Sequence, residues 1–211
     1  MTIEDIGRLF VVAAPSGAGK TSLLRAILKQ TPNAVISISY TTRKKREQER
    51  EGEDYRFVSH SEFERMVSED CFLEHASVFD HYYGTAREDV ASLRRQNLDV
   101  ILEIDWQGAR QVREKIPDSE SIFILPPTRR ALESRLRGRS TDSDEVIKRR
   151  LADSVADMGH WDEFDYFVIN DDFDAGVNDL REIVSGQGGK HRKNRPELKA
   201  LIDQLLAADR T

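Results

Sequence analysis

The segment Ala14-Pro-Ser-Gly-Ala-Gly-Lys-Thr21 guides our interpretation of the whole chain. It follows the apolar run Arg8-Leu-Phe-Val-Val-Ala-Ala14, which is rich in residues that favour β-strands. A helical pattern begins near Lys20, directly after the glycines. The local order is therefore strand, loop and helix.

The loop has the Walker A pattern, except that Ala14 stands at the position of its first glycine. Glycines let backbone N–H groups converge on phosphate oxygens, and the N-terminus of the following helix adds a favourable dipole. We expect Lys20 to reach the β- and γ-phosphates of a nucleotide and the Thr21 hydroxyl to bind Mg²⁺. The alternative is a glycine-rich turn that only caps a helix. The residues expected to surround the triphosphate are Pro15, Ser16, Gly17, Ala18, Gly19, Lys20, Thr21 and Ser22.

Three more apolar runs repeat this pattern, and each precedes a polar stretch that is compatible with a helix. They are Asp99-Val-Ile-Leu-Glu-Ile-Asp105, Ser121-Ile-Phe-Ile-Leu125 and Tyr166-Phe-Val-Ile-Asn170. Such alternation predicts an α/β fold with a central parallel sheet and helices on both faces, which gives three layers.

Two stretches depart from the alternation. Residues 39–83 contain short strand-like pieces around one helix, for which Ser61-Glu-Phe-Glu64 supplies a capping-box signal, and we interpret them as an inserted lobe. The Arg-, Gly- and Ser-rich stretch Arg135 to Ser143 predicts a mobile flap. Near the C-terminus we expect a loop over Ser185 to Arg195 and then a helix over Pro196 to Ala208.

The composition excludes several classes of protein. The 211 residues carry a net charge of −6, which argues against a chain that coats nucleic acid. The sequence has one cysteine, Cys71, and no apolar run near the roughly 20 residues of a membrane span. Met1 to Arg8 lacks the features of a secretory signal, so we expect a cytoplasmic protein that binds neither nucleic acid nor membrane.

Beyond the phosphate loop, an ordered series of motifs resembles the guanylate kinase family over roughly residues 8 to 184. Several spaced motifs in the correct order are more specific than any single one. The motifs are Ser39-Tyr-Thr-Thr-Arg43 with Arg46, Gly52-Glu-Asp-Tyr55, Phe72-Leu-Glu-His75, Tyr82-Tyr-Gly-Thr85, Glu103-Ile-Asp-Trp-Gln-Gly108, Ile122-Phe-Ile-Leu-Pro-Pro127, Arg135-Leu-Arg-Gly-Arg139 and Val168-Ile-Asn-Asp-Asp172.

The resemblance implies a P-loop kinase that transfers the γ-phosphate of ATP to GMP, with Mg²⁺ as cofactor, in purine nucleotide metabolism. It also implies a division into three parts. These are a core of residues 1–38, 99–129 and 161–211, a mixed α+β GMP-binding lobe at 39–98, and a helical lid at 130–160.

The resemblance also assigns the acceptor site. Arginine forks suit phosphate because they present paired N–H donors and remain charged. Without the resemblance, the arginines would be an exposed basic loop and the tyrosines ordinary β-sheet aromatics. The residues implied to hold the GMP phosphate are Ser39, Arg43, Arg46, Tyr55 and Tyr83.

Glu74 and Thr85 are implied to read the guanine base. The carboxylate would accept from N1–H and the exocyclic amine, while the hydroxyl would meet O6. Adenine lacks those donors and would leave a buried Glu74 unpaired. Taken alone, Glu74 would be a charged residue on a solvated strand face.

Glu103 and Asp105 lie two residues apart, so on a strand they would share one face at its C-terminal end. Glu103 would contact GMP or a metal-bound water, although the family usually has Asp there. Asp105 would act on Mg²⁺ through water, or would be a structural carboxylate. Lys45 and Gln48 replace the family's usual Pro and Gly, which predicts a more flexible loop.

Three arginines match the lid positions of the family, namely Arg135, Arg139 and Arg150. With Lys20 and Arg43 they are the expected catalytic residues, because phosphoryl transfer depends on positioning and on charge stabilisation. Ser140 replaces a common Gly beside Arg139. Asn170 matches a position near the adenine of ATP. We expect direct in-line transfer without a phosphoenzyme.

Other interpretations stay open at this stage. The chain could be a non-catalytic interaction module of the same fold, or a kinase for another nucleotide or a phosphorylated sugar. The tail from Lys190 to Arg195 could bind RNA, although a solvated loop is the simpler interpretation. The sequence also leaves open a homo-oligomer and the packing of the last helix.

Overall fold

A computed structural model describes residues 6–78, 80–138 and 143–207 of the chain. These residues form two compact units. The first unit comprises the described residues up to Val11 together with Asn33–Ser119, and the second comprises Val12–Pro32 together with the described residues from Glu120 onward. Among the described residues, no helix has both the length and the apolar character needed to cross a bilayer.

The described strands, in chain order, are β1 (Leu9–Ala13), β2 (Ala34–Ile36), β3 (Tyr40–Thr41), β4 (Arg56–Phe57), β5 (Phe72–Val78), β6 (His81–Ala86), β7 (Asp99–Glu103), β8 (Glu120–Leu125) and β9 (Tyr166–Ile169). The described α-helices are α1 (Lys20–Leu28), α2 (His60–Ser68), α3 (Arg87–Arg95), α4 (Trp106–Lys115), α5 (Arg129–Arg137), α6 (Asp144–Met158), α7 (Phe173–Glu182) and α8 (Pro196–Leu206).

The first unit contains parallel strands in the order β2-β7-β1 and a separate mixed sheet in the order β4-β3-β6-β5. In the mixed sheet, β5 and β6 form an antiparallel hairpin in which Glu74 lies directly opposite Thr85. Directly opposed residues lie close enough for their side chains to interact on one face. The sequence pattern alone could not give this pairing, because it depends on the register of the hairpin.

The second unit contains parallel strands in the order β1-β8-β9, and the unit boundary divides β1 itself. β8 and β9 pair in parallel from Ile122 opposite Tyr166 to Leu125 opposite Ile169. Five of the six residues of β8 are buried, as the apolar run predicts. The predicted α/β fold with a central parallel sheet and flanking helices is confirmed.

Two local predictions near helices are wrong in detail. α2 is capped by Ser59, whose hydroxyl accepts the N–H of Glu62, and not by Ser61. The capping serine thus lies two residues earlier than expected, because both serines satisfy the pattern and only Ser59 has extended backbone at the helix start. The predicted strand through Asp105 ends at Glu103, and Asp105 caps α4 instead.

The C-terminal region differs from the expected loop. Residues Ile183–Gln187 form a π-helical turn and Gly188–His191 a 3₁₀ turn, continuing directly from α7. Gly186 has a φ of 81°, which explains how the chain changes direction there. α8 ends at Leu206 and buries Leu198, Ile202 and Leu205 within the second unit. The last helix therefore packs on its own chain.

Candidate nucleotide-binding sites

The phosphate loop lies in the second unit, between β1 and α1. Gly17 and Gly19 have φ angles of 90° and 97°, which L-residues with side chains rarely adopt. Gly19 is the N-cap of α1, so Lys20, Thr21 and Ser22 form the first turn of this helix. The loop is therefore built to present backbone N–H groups and a helix N-terminus to an anion.

Asn170 fixes the shape of this loop. Its side-chain amide is buried at the end of β9 and donates to the carbonyl of Ala18 at 2.6 Å. A Cβ on Gly19 would lie 2.3 Å from the Asn170 amide nitrogen, so a side chain cannot fit there. The family resemblance predicts that Asn170 lies near the adenine of ATP, whereas the side-chain contact in this structure is with the backbone of the phosphate loop.

The backbone of Asn170 also orients the side chain of Arg135. One terminal nitrogen of its guanidinium donates to the Asn170 carbonyl at 2.8 Å. The other terminal nitrogen is buried and has no hydrogen-bond partner among the described residues. A buried guanidinium nitrogen without an acceptor is costly, so this atom is suited to receive an anionic oxygen.

Two residues of α6 contact the loop at Ser16. Arg150 donates to the Ser16 hydroxyl at 3.2 Å, and Ser154 donates to the Ser16 carbonyl at 3.2 Å. Arg150 therefore contacts the phosphate loop directly, whereas Arg135 is held by the backbone of Asn170, whose side chain contacts the loop. Arg139, the third expected lid arginine, and its neighbour Ser140 lie outside the described residues.

The first unit gathers three of the predicted phosphate-binding residues. The guanidinium carbon of Arg43 lies 5.3 Å from the ring centroid of Tyr55, whose ring packs edge-on against Tyr83 at 5.9 Å. Burial raises the pKa of Tyr55, and the charge of Glu103 raises it further. Tyr55 therefore lies beside a cation, and its phenol stays protonated and able to donate at neutral pH. Tyr83 also interacts with Arg43.

Glu49 is a member of this cluster that the sequence did not reveal. Its carboxylate accepts from the Arg43 guanidinium at 2.6 Å and from the Arg46 backbone N–H at 2.8 Å. The hydrogen bond from Arg43 lowers the pKa of Glu49. The sequence feature that could have pointed to Glu49 is its position three residues after Arg46, but it lies within a strongly charged stretch. Gln48 thus lies in a hydrogen-bonded turn, closed by Glu49 N–H donating to the Arg46 carbonyl, and Lys45 precedes this turn.

The remaining predicted acceptor residues have different surroundings. Ser39 precedes β3, and its carbonyl accepts the N–H of Arg56 at 2.9 Å. The side chain of Arg46 is exposed, while Glu103 is half-buried at the end of β7. The Asp105 carboxylate accepts the N–H of Gly108 at 2.7 Å as the cap of α4.

Glu74 and Thr85 form a buried pair. The Thr85 hydroxyl donates to the Glu74 carboxylate at 2.6 Å, and only 3% of Glu74 is exposed. Burial raises the pKa of Glu74 to about 7, and the nearby charge of Asp105 adds to this effect while the Thr85 hydrogen bond opposes it. A buried carboxylate with its acceptor oxygens in place is a site for a ligand that supplies N–H donors.

The fold and the glycine-rich loop place this chain in the class of P-loop kinases. A family model for guanylate kinase matches residues 6–187. The guanylate kinase of Escherichia coli strain K12 is 50% identical over 203 residues, which cover 95% of this chain and 98% of that protein. The guanylate kinase of Salmonella typhimurium strain LT2 is 49% identical over the same length.

A solved structure shows the same likeness. The crystal structure of guanylate kinase from Anaplasma phagocytophilum has a TM-score of 0.70 at 30% identity, covering 97% of this chain and 98% of that one. This chain belongs to the guanylate kinase family. The family and the enzyme class that the motif series predicted are confirmed.

Proposed function

We propose that this chain transfers the γ-phosphate of ATP to GMP, giving ADP and GDP, and that the buried Glu74–Thr85 pair selects the guanine base. Family membership supports the reaction. The pair carries the choice of base, because a carboxylate that is 3% exposed and held at 2.6 Å by a hydroxyl is an acceptor prepared for N–H donors.

Guanine binding changes the hydrogen-bond partners of Glu74 and Thr85. The Thr85 hydroxyl has one proton, which it donates to Glu74 in the present structure. The N1–H and exocyclic amine of guanine take over the carboxylate, so the hydroxyl is released to donate to O6. Adenine offers no such donors to Glu74, and sites of this kind discriminate by about 10⁴-fold or more.

The GMP phosphate binds the cluster around Arg43. Arg43 supplies a permanent charge, and Tyr55 and Tyr83 supply phenolic donors beside it. The Glu49 carboxylate and the Lys44 carbonyl each accept one N–H of the Arg43 guanidinium, and they hold it in place for binding phosphate oxygens. Ser39, Arg46 and Glu103 complete the proposed GMP site. Its residues are Ser39, Arg43, Arg46, Tyr55, Glu74, Tyr83, Thr85 and Glu103.

ATP binds the second unit. The loop from Pro15 to Gly19 and the first turn of α1, including Lys20, cradle its phosphates. Arg135 directs its unpartnered nitrogen to a phosphate oxygen, and Arg150 acts from the Ser16 side of the loop. Arg139 is the third lid arginine of the proposal. These cations stabilise the charge that develops on the transferred group, and no residue forms a covalent phosphoenzyme.

Mg²⁺ is the proposed cofactor, and the residues present fit it. The first turn of α1 contains the Thr21 hydroxyl and no acidic residue, so this turn supplies no negative charge and substrate phosphates would supply most of the charge around the ion. That is the usual way in which proteins hold Mg²⁺, with few protein ligands and several waters. Bound with ATP, the ion neutralises charge on the phosphate oxygens. The carboxylate oxygen of Asp105 that does not cap α4 is proposed to interact with Mg²⁺ through water.

The test is a coupled assay of ADP formation with Mg-ATP and GMP, AMP, CMP or UMP in turn. Turnover with GMP alone, lost in Lys20→Met, is the expected result. Turnover with another monophosphate would overturn the role of Glu74, and no turnover with any of them would indicate an interaction module. Fractionation of the native host is expected to place the protein in the cytoplasm, and light scattering reports its oligomeric state.

A further inference from the structure

Gly108 lies in the first turn of α4, facing the buried carboxylate of Glu74. The Asp105 side chain fixes this turn by accepting the Gly108 N–H at 2.7 Å. A Cβ built on Gly108 would lie 2.7 Å from Glu74 Oε2 and 3.2 Å from its carboxyl carbon. Real Cβ atoms do not approach other atoms so closely, so a side chain at this position must displace the carboxylate or the helix.

The backbone does not require glycine at this position. The φ of Gly108 lies outside the left-handed region, and the residue is the third of a regular ten-residue helix. Alanine is favoured over glycine within a helix, because glycine loses more conformational freedom on folding. The reason for glycine is therefore the neighbouring side chain and not the helix.

The strand that carries Glu74 is held against α4 and cannot easily move away. Gln111 donates to the His75 carbonyl at 2.9 Å and accepts the His75 N–H at 3.1 Å. Lys115 donates to the Phe72 carbonyl at 3.2 Å. Because these contacts hold the backbone on both sides of Glu74, a larger residue at 108 would shift chiefly the carboxylate.

The geometry points to Gly108 as a positioning residue for guanine recognition: only a hydrogen at this Cα leaves the Glu74 carboxylate where Thr85 holds it. This inference rests on the proposed function of Glu74. Gly108 touches no substrate in this scheme and acts through Glu74 alone. Gln111 supports the same arrangement by holding the edge of β5 against the helix.

The first experiment measures steady-state kinetics of Gly108→Ala. We expect KM for GMP to rise about 10- to 100-fold, because displacement of a binding group by up to about 1 Å can cost that much. KM for ATP, which binds the other unit, should stay within about threefold. Gln107→Ala, an exposed substitution on the same helix turn, is the matched control and should leave both constants unchanged. An unchanged KM for GMP in Gly108→Ala would overturn the inference.

The second experiment needs no substrate and isolates the contact with Glu74. Thermal unfolding is measured for the wild type, Gly108→Ala, Glu74→Ala and the double variant. Gly108→Ala should lower Tm by a few degrees beside Glu74. It should maintain or raise Tm in the Glu74→Ala background, where the 2.7 Å contact with the carboxylate is gone, a 3.2 Å contact with the Ile104 side chain remains and helix propensity favours alanine. An equal change in both backgrounds would overturn the inference.

The two experiments separate the failure of this inference from the failure of the proposed function. If the wild type does not phosphorylate GMP, the proposed function fails whatever the unfolding cycle shows. If the wild type is active but Gly108→Ala binds GMP normally, only the positioning role fails.

Discussion

Replacement of Glu74 by Gln should make the substrate-free protein more stable at neutral pH. Burial raises the pKa of Glu74 from 4.5 to about 7, which corresponds to about 3 kcal/mol at 1.36 kcal/mol for each pKa unit. A raised carboxyl pKa means that the native state favours the protonated form. This contribution is fully present below pH 4.5 and is lost as the pH rises through about 7.

The assay compares urea unfolding of the wild type and Glu74→Gln without nucleotide, from pH 5 to pH 8. Titrations common to both proteins cancel in the difference. The unfolding free energy of the variant minus that of the wild type should therefore increase by up to about 3 kcal/mol over this range. In thermal unfolding this corresponds to roughly 6–12 °C for a chain of this size.

A difference that stays constant within about 0.5 kcal/mol from pH 5 to pH 8 would refute the reasoning. It would mean that the Glu74 carboxyl titrates normally and is hydrated in the native state. Glu64→Gln, on an exposed residue of α2, is the matched control for the exchange of a carboxyl for an amide. The stabilised Glu74→Gln variant should lose GMP binding, since the amide presents one acceptor oxygen, and its NH₂ group would meet one of the two guanine N–H donors.

Three more outcomes follow from the same contacts. GMP binding at pH 7 should release a fraction of a proton from Glu74, seen as a calorimetric enthalpy that depends on the buffer; a buffer-independent enthalpy would exclude this. Asn170→Ala should raise KM for ATP about tenfold and lower stability by about 1–3 kcal/mol, because the Ala18 carbonyl loses its buried donor, whereas exposed Asp171→Ala should do neither. Glu49→Gln should raise KM for GMP about tenfold by releasing Arg43, with exposed Glu47→Gln as control, and an equal effect of both would contradict it.

The parts of the fold that could be predicted from the sequence are those with local causes. The phosphate loop was predictable because its glycines, lysine and threonine are consecutive between a strand and a helix. The buried parallel strands were predictable because runs such as Ser121 to Leu125 are apolar on both faces. Where two local signals competed, as with Ser59 and Ser61, the pattern gave the wrong residue.

The missed features depend on contacts between distant residues. Asn170 reaches Ala18 across 152 positions of the chain, and Gln111 reaches His75 across 36. No periodicity reports such a contact. Gly108 was part of a recognised motif, yet the reason for a glycine at this position is visible only in the packing of β5 against α4. Glu49 was hidden for a different reason, because one acid within a charged loop has no distinguishing local pattern.

The two ends of the proposed GMP site handle charge in opposite ways. At the phosphate end, Arg43 already has an internal counter-ion in Glu49, so its charge is compensated before the substrate arrives. At the base end, Glu74 is buried with a neutral hydroxyl as its hydrogen-bond donor, so its negative charge is costly until guanine binds. Guanine recognition needs the ionised carboxylate, whereas the empty site is most stable with the protonated form. The contribution of Glu74 to stability without GMP is therefore greatest at a pH below that at which Glu74 is best prepared to bind GMP.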